Sequence, residues 1–340
     1  MRVLQHPQQP WFEMENRPIP TQQREHTTAL AVSRAPAPPR PVWMGVLLLI
    51  ACAALWSLSG PLIKLLNYQG GGVSGLAIAC YRSLLGGLVF LPLAWRRRRT
   101  LRVVAPIWPA ASVLTFTLMT VTFVLATTMT AAANAISLQY TAPLWVFLLS
   151  PLILGERPRR EEGLVLLIAM AGVAVLFAGH PAADMPALLV ALTSGLGYGS
   201  LIVVLRGLRR VDPTVVTCLN LLGSGLLLAP AVALWSTFHL TAGQLGLLVL
   251  LSVAQFALPY VLFSLALQSV EAHRAALITL LEMVLNPLWT YLIVGEAIPP
   301  ATRLGGPLIL LGVAGWMLLT WRREAALGRQ QRRDGAGSRS

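Results

Sequence analysis

From Trp43 onward, apolar positions run in stretches of about twenty residues, separated by short polar clusters. A helix rises 1.5 Å per residue, so twenty apolar residues cross a hydrocarbon core of roughly 30 Å. Ten such stretches can be counted, at 43–66, 72–95, 105–128, 131–154, 162–180, 185–206, 213–235, 244–268, 272–294 and 303–321. The pattern predicts an all-α polytopic membrane protein with ten transmembrane helices. Residues 1–42, rich in Pro, Gln and Arg, predict a disordered tail, because nothing there buries enough surface to offset ordering entropy. Residues 322–340 form a second, basic tail.

The apolar pattern repeats. A shift of 140 positions sets Phe123 on Phe263, Ala126 on Ala266, Gly155-Glu156 on Gly295-Glu296 and Gly172 on Gly312. A shift of 142 sets Trp56 on Tyr198 and Lys64 on Arg206, and one of 138 sets Arg82 on Asn220, Gly87 on Gly225 and Pro92 on Pro230. Pro-Leu-Trp occurs at both 143–145 and 287–289. The order of these matches predicts two related halves, 43–180 and 181–321. Five spans per half is an odd number, so the halves should run through the membrane in opposite directions. Inverted repeats of this kind put a substrate site near the midplane, between the halves.

Charge adds an orientation. Only 11% of residues are charged, against roughly 25% in soluble domains. The net charge of +13 comes from arginines clustered between apolar runs, not arranged as a face that would grip nucleic acid. Arg96, Arg97, Arg98, Arg99 and Arg102 fall on one side, with Arg157, Arg159 and Arg160, then Arg206, Arg209 and Arg210, then Arg274 and the tail from Arg322. The opposite loops hold only Arg303. The positive-inside rule then places both termini in the cytoplasm of a multi-pass inner-membrane protein.

Little else in the composition carries chemistry. Cys52, Cys80 and Cys218 lie in apolar runs and read as small buried hydrophobes. The five histidines show no metal-ligand spacing, and no phosphate-binding glycine loop is present, so no cofactor is expected and ATP is not the driver. An N-terminal signal peptide pattern is missing.

Glu282 is the acidic residue deepest in any predicted span. A charge there costs roughly 2.5–3.5 kcal/mol on insertion scales, so it should face an interior or wet cavity. Thr279, Glu282, Asn286 and Thr290 share one helical face, as a pathway wall or as interhelical glue. Within a pathway, Glu282 either binds a cationic substrate group or carries a proton. Arg82 is the natural counter-charge, holding a substrate carboxylate or pairing with Glu282 or with helix ends. Asn134, Ser137 and Thr141 share a face of the fourth span, with Gln139 and Tyr140 beside them. Trp56, Tyr140 and Tyr198 either line a cavity or pack. Lys64, the chain's only lysine, should snorkel to the interface. Glu156 and Glu296 read as turn or cap residues fixing repeat geometry. Gly195 and Gly199 form a GxxxG pattern for close helix contact, leaving monomer or homodimer open.

The residues from Ala53-Ala54-Leu55-Trp56-Ser57 to Lys64, with Tyr81-Arg82, Pro143, Gly155-Glu156 and Gly295-Glu296, resemble the drug/metabolite transporter superfamily, in particular its EamA-like members. The likeness covers about 43–321. It implies a secondary transporter of small metabolites, amino-acid-like or drug-like, tending to export; the inverted repeat adds alternating access, and Glu282 suggests proton coupling. The other readings are an uncoupled facilitator, a membrane enzyme or a structural membrane protein. Two positions depart from the family pattern. Ser57 stands where Gly often follows the Trp, and Glu282-Met283 stands where Glu-Pro is common. With Pro287 four residues later, a break in the ninth span is expected one turn further on.

Overall fold

A computed structural model describes residues 42–68, 72–155, 160–236, 240–266, 269–270, 275 and 278–337. The predicted N-terminal tail up to residue 41, Glu156, Arg157, Arg159 and Arg274 lie outside these. The described residues are helical with no strand. In order they form α1 (Val42–Ser57), α2 (Ser59–Tyr68), α3 (Gly75–Arg97), α4 (Ile107–Met129), α5 (Ala132–Gln139) and α6 (Ala142–Leu154). Then come α7 (Arg160–Ala178), α8 (Met185–Gly207), α9 (Pro213–Trp235), α10 (Ala242–Ser252), α11 (Leu258–Ala266), α12 (Leu281–Val294) and α13 (Pro300–Gly337). A single π-helical turn, Val253–Ala257, joins α10 to α11.

Among the described residues, eight helical stretches are long and apolar enough to cross a membrane. They coincide with all the predicted spans except the fifth and ninth, where the apolar helices are shorter, Leu166–Ala178 and Leu281–Val294. The outer surface is correspondingly greasy: Leu152 is 81% exposed and Trp235 77%. In water such faces would be a liability; in lipid they are the favourable exterior.

Local chemistry sets most helix starts. Ser74 accepts from the Ala77 amide to cap α3, Asp212 caps α9 ahead of Pro213, and Thr241 and Gln244 exchange bonds as a capping box on α10. Prolines set two interruptions. Pro61 lacks an amide hydrogen and its ring opposes the carbonyl four residues back, at Ser57, so α1 stops there and α2 begins after Leu58. Pro143 does the same to Gln139, separating α5 from α6 at Tyr140-Thr141.

The ninth span behaves differently from its expectation. α12 runs unbroken through Pro287, and the interruption falls earlier, at Leu280. The break therefore precedes Glu282 instead of following it. Tyr140 and Leu280 are 140 positions apart, the same shift that relates Gly155 to Gly295. Both of those glycines end their helices in the left-handed region, at φ 67° and 75°, which only glycine enters without steric cost.

Long helices pack chiefly as pairs: α7 with α13, α3 with α9, α4 with α8, and α1 with α11. α8 also packs on α5 and α6, while α12 packs on α1 and α2. The GxxxG glycines serve this intramolecular packing. A Cβ at Gly195 would fall 2.6 Å from the Leu138 carbonyl, and one at Gly199 2.7 Å from that of Ala142. The close approach holds α8 against the Tyr140 break.

Candidate functional site

The helix breaks free backbone carbonyls inside an apolar bundle, where each needs a donor. Side chains from distant spans supply them. The Tyr140 hydroxyl lies 3.2 Å from the Thr279 carbonyl, and Gln255 Nε2 donates to the Trp56 carbonyl at 3.0 Å. The first and ninth spans thus each take a polar side chain from a distant span.

Glu282 sits in the first turn of α12, where the unpaired amides at a helix N-terminus favour a carboxylate. The Tyr140 hydroxyl lies 2.9 Å from its Oε2 and is the donor. Although Glu282 is deep in the bundle, it keeps part of its surface accessible. Trp56, Tyr198 and Tyr260 are likewise half-buried, while Tyr140 is buried.

Arg82, 3% exposed, is held from two sides. Its Nη2 donates to Thr120 Oγ1 at 2.6 Å, and its guanidinium lies 4.4 Å from the centre of the Phe256 ring. Among the described residues its Nε has no partner, and neither has Gln255 Oε1. Arg82 and Glu282 make no direct ion pair: among the described residues the ion pairs are Lys64–Glu296 and Arg97–Asp212.

An aromatic group completes the neighbourhood. Tyr260 meets Trp56 edge-on at 5.5 Å, Phe256 at 5.7 Å and Phe90 at 6.5 Å, and Trp56 also packs on Phe263. Phe256, Tyr260, Gln255 and Thr120 were not singled out from the sequence. A glutamine in an otherwise apolar span, followed by Pro259, was the available signal. The π-helical turn that aims Gln255 and Phe256 inward left none.

The remaining sequence candidates separate. Thr279 contributes its carbonyl at the break. Gln139 is half-buried at the end of α5. Asn286 is fully buried and donates to Ser59 Oγ at 3.0 Å, while Thr290 donates to the Asn286 carbonyl at 2.8 Å. Asn286 joins α12 to α2, while the Thr290 bond stays within α12.

Lys64 corrects its expectation. It is 3% exposed, so it does not reach out to an interface. Its Nζ lies 2.6 Å from Glu296 Oε2 and donates to the Thr130 carbonyl at 2.8 Å. Glu296 Oε1 accepts from the Ala132 amide at 2.7 Å, capping α5. Asn134 extends the network, donating to Thr130 Oγ1 at 2.8 Å and accepting from Thr302, with His180 Nε2 3.1 Å from its amide nitrogen.

Known proteins resemble this chain over most of its length. The EamA-like transporter family matches twice, at residues 43–178 and 185–318. The chain belongs to the EamA-like transporter family. An uncharacterized transporter of Archaeoglobus fulgidus is 30% identical over 258 residues, covering 74% of this chain and 88% of that protein. The uncharacterized transporter YwfM of Bacillus subtilis is 25% identical over 276 residues, covering 78% and 91%. A solved crystal structure superposes with a TM-score of 0.55 over 81% of this chain and 97% of its own, at 21% identity, a likeness of fold alone. This EamA-like protein is therefore a multi-pass membrane transporter, of a family that moves solutes instead of transforming them.

Proposed function

We propose that this EamA-like protein exports small amphipathic metabolites from the cytoplasm by alternating access, with Glu282 exchanging a proton for the cationic group of the substrate. The observation that carries the reading is a part-accessible carboxylate at a mid-span helix break, bonded to Tyr140 at a second break. A carboxylate in hydrocarbon is costly unless it has a ligand or a proton to take. The Arg82 Nε–H, unpartnered and buried, offers a donor for a substrate carboxylate. Trp56, Tyr198 and Tyr260 supply flat walls for the apolar part, with Tyr140 behind Glu282. Asn286 and Thr290 act as interhelical glue in this reading, leaving the pathway to the other residues.

Several features support two inverted five-helix halves. Breaks at Tyr140 and Leu280, and left-handed glycines at 155 and 295, share one shift. Helix pairing follows the same exchange: α4 with α8 has its counterpart in α11 with α1, and α6 with α8 in α12 with α1. The arginine bias supports cytoplasmic termini in an inner membrane. With that orientation, the Lys64–Glu296 network closes the external end, and its opening would release substrate outward.

The test is uptake of a mixed metabolite extract into proteoliposomes, with and without a pH gradient. Wild type is compared with Glu282→Gln, both shown folded and monodisperse. We expect a compound that accumulates only with the gradient and only with Glu282 intact. Equal transport by folded Glu282→Gln would sink the proton role and leave an uncoupled facilitator.

A further inference from the structure

The arginine-rich end of the molecule carries a groove of about 810 Å³ that the transport reading leaves unused. Its basic wall is Arg206, Arg209 and Arg210 at the end of α8, and Trp108 at the start of α4 faces them. Val104 and Leu154 add apolar surface. None of its described lining residues is acidic. The indole stacks over Gly207, where any side chain would collide with the ring. That contact fixes an amphipathic ring beside the arginines. Arg209 and Arg210 are exposed. Asp212, two residues past Arg210, is turned elsewhere: it accepts from Arg97 at 2.8 Å and from the Thr214 amide at 2.9 Å. It therefore does not neutralise the groove.

The second basic cluster on the same end makes an internal contrast. There Arg97 is paired with Asp212, and Arg98 lies 3.9 Å over the Trp95 ring while donating to the Trp95 carbonyl. In that cluster Arg97 and Arg98 are engaged by protein contacts. Orientation in the membrane accounts for arginines in either cluster. It does not account for a groove with one basic wall, an indole and an apolar floor at the membrane boundary. Guanidinium groups grip phosphate through paired N–H donors, and an indole sits naturally at headgroup depth.

The geometry points to a binding site for an anionic phospholipid, its phosphate held by Arg209 and Arg210 and its glycerol region laid against Trp108 and Val104. The inference rests on the chain's place in a bilayer and is independent of the transport chemistry. The leaflet is the one on the arginine-rich side.

The experiment uses the full chain in detergent, titrated with phosphatidylglycerol or phosphatidylcholine and followed by native mass spectrometry and thermal melting. Phosphatidylglycerol should be retained as a discrete adduct and raise Tm; phosphatidylcholine should do neither. Arg209→Gln/Arg210→Gln should weaken binding roughly thirtyfold, the effect of two arginines at a membrane surface. Arg96→Gln/Arg99→Gln removes equal charge from the other cluster and should change it less than about twofold. Val104→Glu leaves every arginine in place and should also weaken binding. Equal loss from the two double variants would reduce the groove to surface charge and overturn the site. Equal retention of phosphatidylcholine, or displacement by inorganic phosphate at the lipid's own concentration, would overturn it too, the latter assigning the groove to a soluble anion.

Discussion

The two ends of the bundle are tied in different ways. At one end a buried network runs from Glu296 through Lys64, Thr130 and Asn134 to Thr302 and His180. It joins α2, the start of α5, the end of α7 and the start of α13. At the arginine-rich end the described ion pair is Arg97–Asp212, with Arg97 half exposed to solvent. A buried, branched network moves as a unit, since losing one member strands the others away from water. An exposed pair exchanges readily with water and contributes little.

That contrast can be broken at graded cost. Lys64→Met removes the hub of the buried network, leaving the Glu296 carboxylate and the Thr130 carbonyl short of a partner. It should destabilise the protein by about 3 kcal/mol, read by denaturation in detergent. The double change Lys64→Met/Glu296→Gln should recover part of the loss, and a fully additive result would show that no network exists.

The glycine ends test whether the two halves are equivalent. At both Gly155 and Gly295 an added Cβ would meet nothing within 4 Å, so alanine costs only the left-handed backbone. Each substitution should cost about 1–2 kcal/mol, and the two should agree. Unequal costs would separate the two helix ends despite their matching geometry.

The smallest effect is expected at Asp212. Burial pushes its carboxyl up, but hydrogen bonds from Arg97 and Thr214 outweigh this and hold it below the usual carboxylate range. A depressed carboxyl stabilises the fold at neutral pH and loses that contribution as pH falls through its lowered value. Asp212→Asn keeps the cap on α9 and should cost under about 1 kcal/mol near neutrality. The variant and wild type should converge in acid; a gap that widens instead would reverse the sign of the linkage.

Much of the architecture was legible along the chain. Eight spans stand where apolar runs predict them, because lipid demands that each crossing segment satisfy its own backbone. The breaks before Pro61 and near Pro143 follow from a missing amide and a ring. Glu282 drew attention for its depth, and the structure gives it a bonded partner in Tyr140. The break at Leu280 was misplaced toward Pro287 because Met283 carries no breaking signal of its own. At that break the one Tyr140 hydroxyl faces both Glu282 Oε2 and the freed Thr279 carbonyl, from a residue 139 positions before Thr279.

Lys64 teaches the same lesson in electrostatics. Its position near a span end reads as an interfacial lysine until Glu296, from beyond α12, is folded against it. The sequence by itself determined that this chain lives in a bilayer, where its long apolar spans fall, and that Glu282 goes inside with them. These follow from local free energies of transfer, which each segment carries alone. Only the tertiary structure decided who answers each buried charge and each freed carbonyl. Their partners lie a hundred or more residues apart in several cases, and no local free energy selects among them.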